Sequence, residues 1–504
     1  MRTVTASAGV PRPAFLSCRI GAAALPAAAM VALTALTASL AVPHAAAQQT
    51  PSGSAPFTAE QQNAAAAIDG AGIRGVVEEI SSDRYAGRAP GTEGDEMTLE
   101  YLADRLEQIG FRPGAADGSW RQPFELVGIT AAQPPEWSFS RGGETLTLAQ
   151  HEEFIVASGV QSERAEVDDA EVVFVGYGIQ APEHDWDDFK GADLDGKILL
   201  MLNNDPDWDP ELFAGQERLY YGRWTYKYES AARQGAAGAI IVHTQPSSGY
   251  PWQVVQTSWT GTQYELPAGE EPRMQVEAWV SEGAAERLVQ LGGHALDELV
   301  ERAKERDFEP VPLGVHTSIE LTNRLERTST ANVIGVLPGS DAELADEYVV
   351  YTAHHDHLGV AESGEDRVYN GARDNATGVG MLLEIGEAFA ALPEPPRRSI
   401  MLLLVGAEEQ GLLGSEYFSR HPTVPPGRIA ANVNYDSGNI WGETEDIMFV
   451  GLGKSSLDAI ARRVAEHQGR ELKPDEAPDQ GYYYRSDQFN FAKIGVPAFY
   501  FRGG

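Results

Sequence analysis

Cysteine is nearly absent: Cys18 is the only one in 504 residues, and it precedes the first long apolar run. Disulfides are therefore excluded from the remainder, whose stability must come from a buried core or from bound metal. Positive charge is scarce as well, with 38 Lys and Arg against 74 Asp and Glu and a net charge of -36. Such a balance argues against nucleic acid and anionic membrane surfaces as partners. The acidic residues are spread along the chain rather than gathered in a tail, as in a solubilising surface. Beyond the first apolar run no segment is long and apolar enough to span a bilayer. No internal repeat is apparent.

What the first residues do contain sets the expected compartment. Arg2, Arg12 and Arg19 precede an Ala/Leu/Val-rich run from Gly21 to Val42, which ends in Ala45-Ala46-Ala47. A charged region, an apolar region and a small-residue cleavage site together read as a secretory signal. We expect residues 1–47 to be removed, leaving an exported, periplasmic or extracellular protein with no integral membrane segment; an uncleaved anchor is the alternative. Residues 48–56 form a polar linker.

Helical spacing of Leu99, Leu102, Leu106 and Ile109 predicts a helix from Glu96 to a C-cap at Gly110. Gln61 to Ile80 reads as another helix. Between them the Gly87 to Gly94 turn-rich loop carries Arg88, best read as a structural tie to an acidic group. Phe124 to Ile129 would add a strand. From Pro134 to Pro312 short apolar runs (Val172 to Val175, Ile198 to Leu202, Ala239 to Val242) alternate with Gly/Pro/Asp-rich loops. Trp186 and Phe189 should anchor the acidic loop around His184, which otherwise suggests a second metal site. Gly176-x-Gly178 lacks the third glycine of a dinucleotide fingerprint.

Metal-binding residue types then appear at the ends of apolar runs. Tyr348 to Ala353 leads into His354-His355-Asp356-His357, followed by Gly371-Ala372-Arg373-Asp374-Asn375-Ala376-Thr377-Gly378. Ile400 to Val405 leads into Glu408-Glu409-Gln410-Gly411, and Ile429 to Tyr435 delivers Asp436. In an open α/β sheet such strand ends converge on one crevice. Imidazole and carboxylate ligands with a spare carboxylate base are what a metallohydrolase needs. His354, Asp374, Glu409 and Asp436 are candidate metal ligands, with Glu408 free to act as base. Thr377 to Ala391 reads as an amphipathic helix. Asn375-Ala376-Thr377 matches a glycosylation sequon but belongs to the candidate metal loop. The fold class is α/β, a mixed and largely parallel sheet between helices with a smaller β-rich insertion.

These segments, with Ala407-Glu408-Glu409-x-Gly411-Leu412-x-Gly414-Ser415 and Asn434-x-Asp436, resemble the co-catalytic-zinc aminopeptidase family. That family, within clan MH, also holds glutamate carboxypeptidases, glutaminyl cyclases and the transferrin receptor. The resemblance implies two zinc ions, one held by His354 and Asp436 and the other by Glu409, with Asp374 bridging. It makes Glu408 the general base and Asp356 the residue that orients His354. Val175 to Ile179, Asp195-Gly196-Lys197 and the run before Ile240 look like a protease-associated domain. The expected division is 57–133 for the first part of the peptidase domain, 134–312 for the insertion and 313–504 for the catalytic part.

One family element has no counterpart. Ser486-Asp487-Gln488-Phe489-Asn490-Phe491 and Gly495-Val496-Pro497 match the stretch preceding the family's fifth ligand, yet no histidine follows His467. The second zinc site thus lacks its His, Gln488 is not offered as a replacement, and the sequence is expected to be C-terminally incomplete. Tyr484 and Arg485 are candidates for the substrate wall. The expected activity is aminopeptidase action on peptide substrates. A carboxypeptidase or dipeptidase using Arg373 or Arg485 for a substrate carboxylate is one alternative, and a non-catalytic receptor-like ectodomain is the other.

Overall fold

The structure is a computed structural model that describes residues 57–503. The expected signal and linker, residues 1–56, lie outside the described residues. No helix among the described residues is long and apolar enough to cross a membrane.

All seven residues of the strand Ser399–Val405 are buried, because Ile, Met, Leu and Val face both sides and each side is covered by helices. Val311–Leu337 pairs with it antiparallel on one side, and Tyr348–His354 runs parallel on the other. Ile429–Asn434 and Ala498–Gly503 continue the parallel order; Asp446–Val450 then adds an antiparallel strand. The sheet is mixed and largely parallel at its centre, as the sequence predicts. Leu402 and Leu404 pack under the helices Gly70–Ile80, Glu93–Ile109 and Thr377–Ala390. Met401, Leu403 and Val405 pack with Phe418 and Phe491 on the opposite face.

Gly110 ends its helix in a left-handed conformation, φ 99°, as expected of a glycine C-cap. The helix expected over 61–80 is instead two, Ala59–Ala67 and Gly70–Ile80. Asp69 causes the break, its side chain accepting the Ala71 N–H at 3.0 Å to cap the second helix. Side-chain periodicity carried no sign of that local competition.

A second core is built from Trp137, Phe139, Phe154, Phe174, Leu200, Ile240 and their neighbours. Its strands Arg164–Phe174, Ile198–Leu202, Gly238–His243 and Val276–Ser281 are parallel neighbours in that order. Leu321 to Thr330 and Ala331 to Leu337 read as separate runs, but the chain from Val311 to Leu337 is one strand of 27 residues. It pairs with Arg164–Phe174 near its start and Arg121–Ala132 in its middle before reaching the catalytic sheet. One continuous backbone therefore links both cores across residues 312 and 313.

Candidate active site

His354 is the last residue of its strand and is 1% exposed. Its Nε2 lies 3.0 Å from Asp374 Oδ1, 3.7 Å from Asp436 Oδ1 and 4.0 Å from Glu408 Oε2. Neither imidazole nitrogen makes a hydrogen bond, and neither does Asp374 Oδ1. Donors around one tetrahedral zinc sit roughly 3.3–3.6 Å apart, from ligand distances of about 2.0–2.2 Å. Close but unaligned donors of this kind fit a divalent ion better than they fit a hydrogen-bond network. His354, Glu408 and Glu409 form a second group whose donor atoms lie within 4.8 Å of one another.

Electrostatics point the same way. Burial would depress the His354 imidazole, but Glu408, Asp356, Asp374 and Asp436 outweigh it and hold it well above the usual range. Burial, followed by Asp436, Asp487 and Glu409, holds the Glu408 carboxyl well above an ordinary carboxylate, against the opposing pull of His354. Asp487 is fully buried, with neither carboxylate oxygen hydrogen-bonded, and burial pushes it to about 7. A cation would relieve this crowding of acids.

Asp356 sits behind His354, its Oδ1 3.7 Å from the Nδ1. It also accepts the backbone N–H groups of Glu408 at 3.0 Å and Glu409 at 3.3 Å. One carboxylate therefore fixes the start of the Glu408–Glu409 turn and faces the histidine. Gly414 lets the following helix press on that turn: a Cβ there would lie 2.2 Å from the Gly406 carbonyl oxygen. His355, next in sequence, is a core residue, its Nε2 3.1 Å from the Ala331 carbonyl, and burial pushes it down to about 4.

Two residues without an expected role join the site. His357 Nδ1 lies 2.6 Å from Glu409 Oε1; its position in the His354 to His357 run was the available signal. Ser486 Oγ donates to Asp436 Oδ2 at 2.5 Å. Arg88 ties the site together through backbone carbonyls, not through an acid. Its guanidinium donates to His355 at 2.8 Å, Ile80 at 2.6 Å, Asn370 at 2.8 Å and Gly371 at 2.9 Å. Gly371 has φ 61°, and a Cβ there would meet Arg88 Nη2 at 2.5 Å, so glycine is required on both counts. Asn375 is buried and bonded to Gly378, Tyr435 and Ser437, an environment closed to a glycan. The Gln488 amide accepts from Asn434 Nδ2 and donates to the Tyr483 carbonyl.

Asp374, Glu408, Glu409 and Asp436 open on a cavity of about 870 Å³ that Tyr484 and Arg485 also line. Tyr220, Arg223, Trp224 and Tyr250 contribute to its walls from the other core region. The acidic loop near His184 joins no metal-capable group among the described residues. Its Asp188 turns inward to accept the Trp186 indole N–H at 2.9 Å.

A histidine and carboxylates converge at strand ends over a large cleft, in groups that could hold a metal ion. Residues 332–503 match the model of peptidase family M28, and this part of the chain is an M28 peptidase domain. A segment of 119 residues is 36% identical to aminopeptidase NAALADL1 of Rattus norvegicus, covering 22% of this chain and 14% of that protein. Aminopeptidase YwaD of Bacillus subtilis (strain 168) is 28% identical over 160 residues, 31% of this chain and 32% of that one. The chain thus spans well under half the length of these curated relatives. Among solved structures, an aminopeptidase from Aneurinibacillus sp. strain AM-1 aligns with TM-score 0.49 at 19% identity, covering 88% of this chain and 87% of that one.

Proposed function

We propose that the protein is an exported, zinc-dependent exopeptidase acting as an aminopeptidase on peptide substrates. The observation that carries this reading is the unbonded, buried His354 surrounded by Asp374, Asp436 and Glu408, three carboxylates that line the cavity. BSAP of Bacillus subtilis, to which the chain is 19% identical with TM-score 0.40 over 86% of this chain and 84% of that one, is described as a zinc aminopeptidase. His354, Asp374, Asp436 and Glu409 would hold zinc, which when bound polarises a peptide carbonyl and acidifies water. Glu408 takes the proton of the attacking water at its carboxylate and returns it to the leaving amine. Asp356 holds His354 and the Glu408 turn in place. Residues 134–312 act as a protease-associated domain, whose Tyr220 and Trp224 narrow the mouth.

Hydrolysis of peptides with free and with blocked amino termini, by protein carrying measured zinc, tests the reading. Cleavage that needs the free amine is expected. Equal cleavage of blocked peptides would assign the carboxypeptidase direction, and zinc binding without cleavage of either would leave the receptor-like alternative. Zinc per chain reports separately whether the Glu409 side takes a second ion.

A further inference from the structure

The imidazole Nδ1 of His357 lies 2.6 Å from Glu409 Oε1, and the two side chains are 14% and 19% exposed. An ionised carboxylate only accepts, so the imidazole N–H is the donor. His357 is not among the candidate ligands, and it joins neither of the metal-capable groups among the described residues.

Its ring is seated from two sides. The His357 backbone N–H donates to the Arg88 carbonyl at 3.3 Å. Gly371 makes room for the ring, because a Cβ there would lie 2.7 Å from His357 Cγ. The buried Arg88 guanidinium donates in turn to the Gly371 carbonyl at 2.9 Å. One arginine therefore fixes both the backbone of His357 and the loop against which its ring rests. A side chain already ordered in this way gives up little further freedom to keep its hydrogen bond.

Glu408 and Glu409 are neighbours in the chain, and both bring a donor atom within 4.8 Å of His354. Their backbone N–H groups are held alike, by the two oxygens of Asp356 at 3.0 and 3.3 Å. Their carboxylates are not. Glu409 is held by His357. Among the described residues nothing donates a hydrogen bond to the Glu408 carboxylate, whose Oε2 lies 4.0 Å from His354 Nε2. Two adjacent acids that reach the same histidine have to be distinguished if one is to ligate and the other to move a proton. A hydrogen bond to a ligating carboxylate supplies that distinction by fixing its direction.

We propose that His357 is the positioning residue for Glu409, holding its Oε1 so that Glu409 is the acid committed to zinc and Glu408 stays free to take the proton of water. The inference rests on the zinc-peptidase reading above.

The test is zinc titration of the full-length chain against a chromophoric chelator, with H357A, H357N and E409Q beside wild type. E409Q identifies the binding step that belongs to Glu409. H357A removes the donor and should weaken that step about 10- to 100-fold. H357N presents an amide N–H in place of the imidazole N–H and should keep most of the affinity. With cobalt(II) in place of zinc, the visible absorption should change in H357A and return in H357N, a pattern that a residue serving only the fold would not produce. Melting in chelator, where no ion contributes, checks that the variants fold. H357A leaving the Glu409 step unchanged, or H357N falling as far as H357A, would overturn the proposal. So would an E409Q titration identical to that of wild type, since Glu409 would then hold no ion. Zinc binding that follows the expected pattern in a wild type that cleaves no peptide would remove the peptidase reading alone. Peptide cleavage by wild type with zinc binding indifferent to H357A would remove this inference alone.

Discussion

Replacing Asp356 by Ala should weaken zinc binding while leaving every candidate ligand in the chain. Asp356 is fully buried. Its two oxygens accept the Glu408 and Glu409 backbone N–H groups and face His354 Nδ1 at 3.7 Å. Burial alone would raise its carboxyl, but His354, His355 and the Glu408 N–H outweigh it and hold it below the usual range. Each bond to a charged acceptor contributes about 1.5–3 kcal/mol. Removing a carboxylate behind a ligating imidazole typically lowers metal affinity about 10- to 100-fold, or roughly 1.4–2.7 kcal/mol. We therefore expect D356A to lose at least about tenfold in zinc affinity by competition with a chromophoric chelator. D356N, keeping the shape but losing the charge, should also lose affinity, because its amide presents a donor where two donors already point. Thermal melts in chelator would separate a damaged fold from a loosened site. Zinc affinity within twofold of wild type in D356A, with the melt unchanged, would refute the assignment of Asp356 as the residue that positions His354 and the Glu408 turn.

E408Q should reduce turnover by about 10²- to 10⁴-fold, the range of a general base, with zinc content unchanged; a kcat near that of wild type would remove Glu408 from the proton transfer. R88A strands the carbonyls of Ile80, His355, Asn370 and Gly371 and should cost on the order of 4 kcal/mol. A melting temperature close to that of wild type would contradict this. Glu277, on the cavity wall, is raised by burial to about 8 from 4.5. The folded state then holds this proton more tightly than the unfolded state, so its contribution to stability is fully present below pH 4.5, declines as pH rises and is gone above 8. E277Q should gain in melting temperature over wild type across that interval, and a difference that is flat with pH would argue against the shift.

Elements with an unambiguous period were legible in the chain. Ser399–Val405 reads as a buried strand because every residue after Ser399 is apolar, and the strand ends follow from it. His354, Asp374, Glu408, Glu409 and Asp436 could be singled out because each follows an apolar run or a turn-rich loop, and the structure brings His354 together with the other four in two overlapping groups. What escaped depended on contacts between segments far apart in sequence. His354 and His355 are adjacent, yet one faces the acids and the other the Ala331 carbonyl, a distinction set by strand alternation. Arg88 reaches carbonyls more than 260 positions away, and an arginine's choice of acceptor leaves no local trace. The Asp69 break and the continuity of Val311–Leu337 were hidden for the opposite reason: local capping and long-range pairing overrode an apolar pattern that fitted either outcome.

Charge placement ties these observations together. Among the described residues many surface arginines of this acidic chain have carboxylate partners within reach, as Arg105 has Glu387, Arg121 has Glu96 and Arg398 has Glu347. Such pairs contribute little individually because water screens them. The cavity departs from that pattern where acids crowd around His354, with Glu408 held well above an ordinary carboxylate by burial and by Asp436, Asp487 and Glu409. Uncompensated charge is unfavourable in a partly enclosed space. A divalent cation bound among those carboxylates would relieve the crowding.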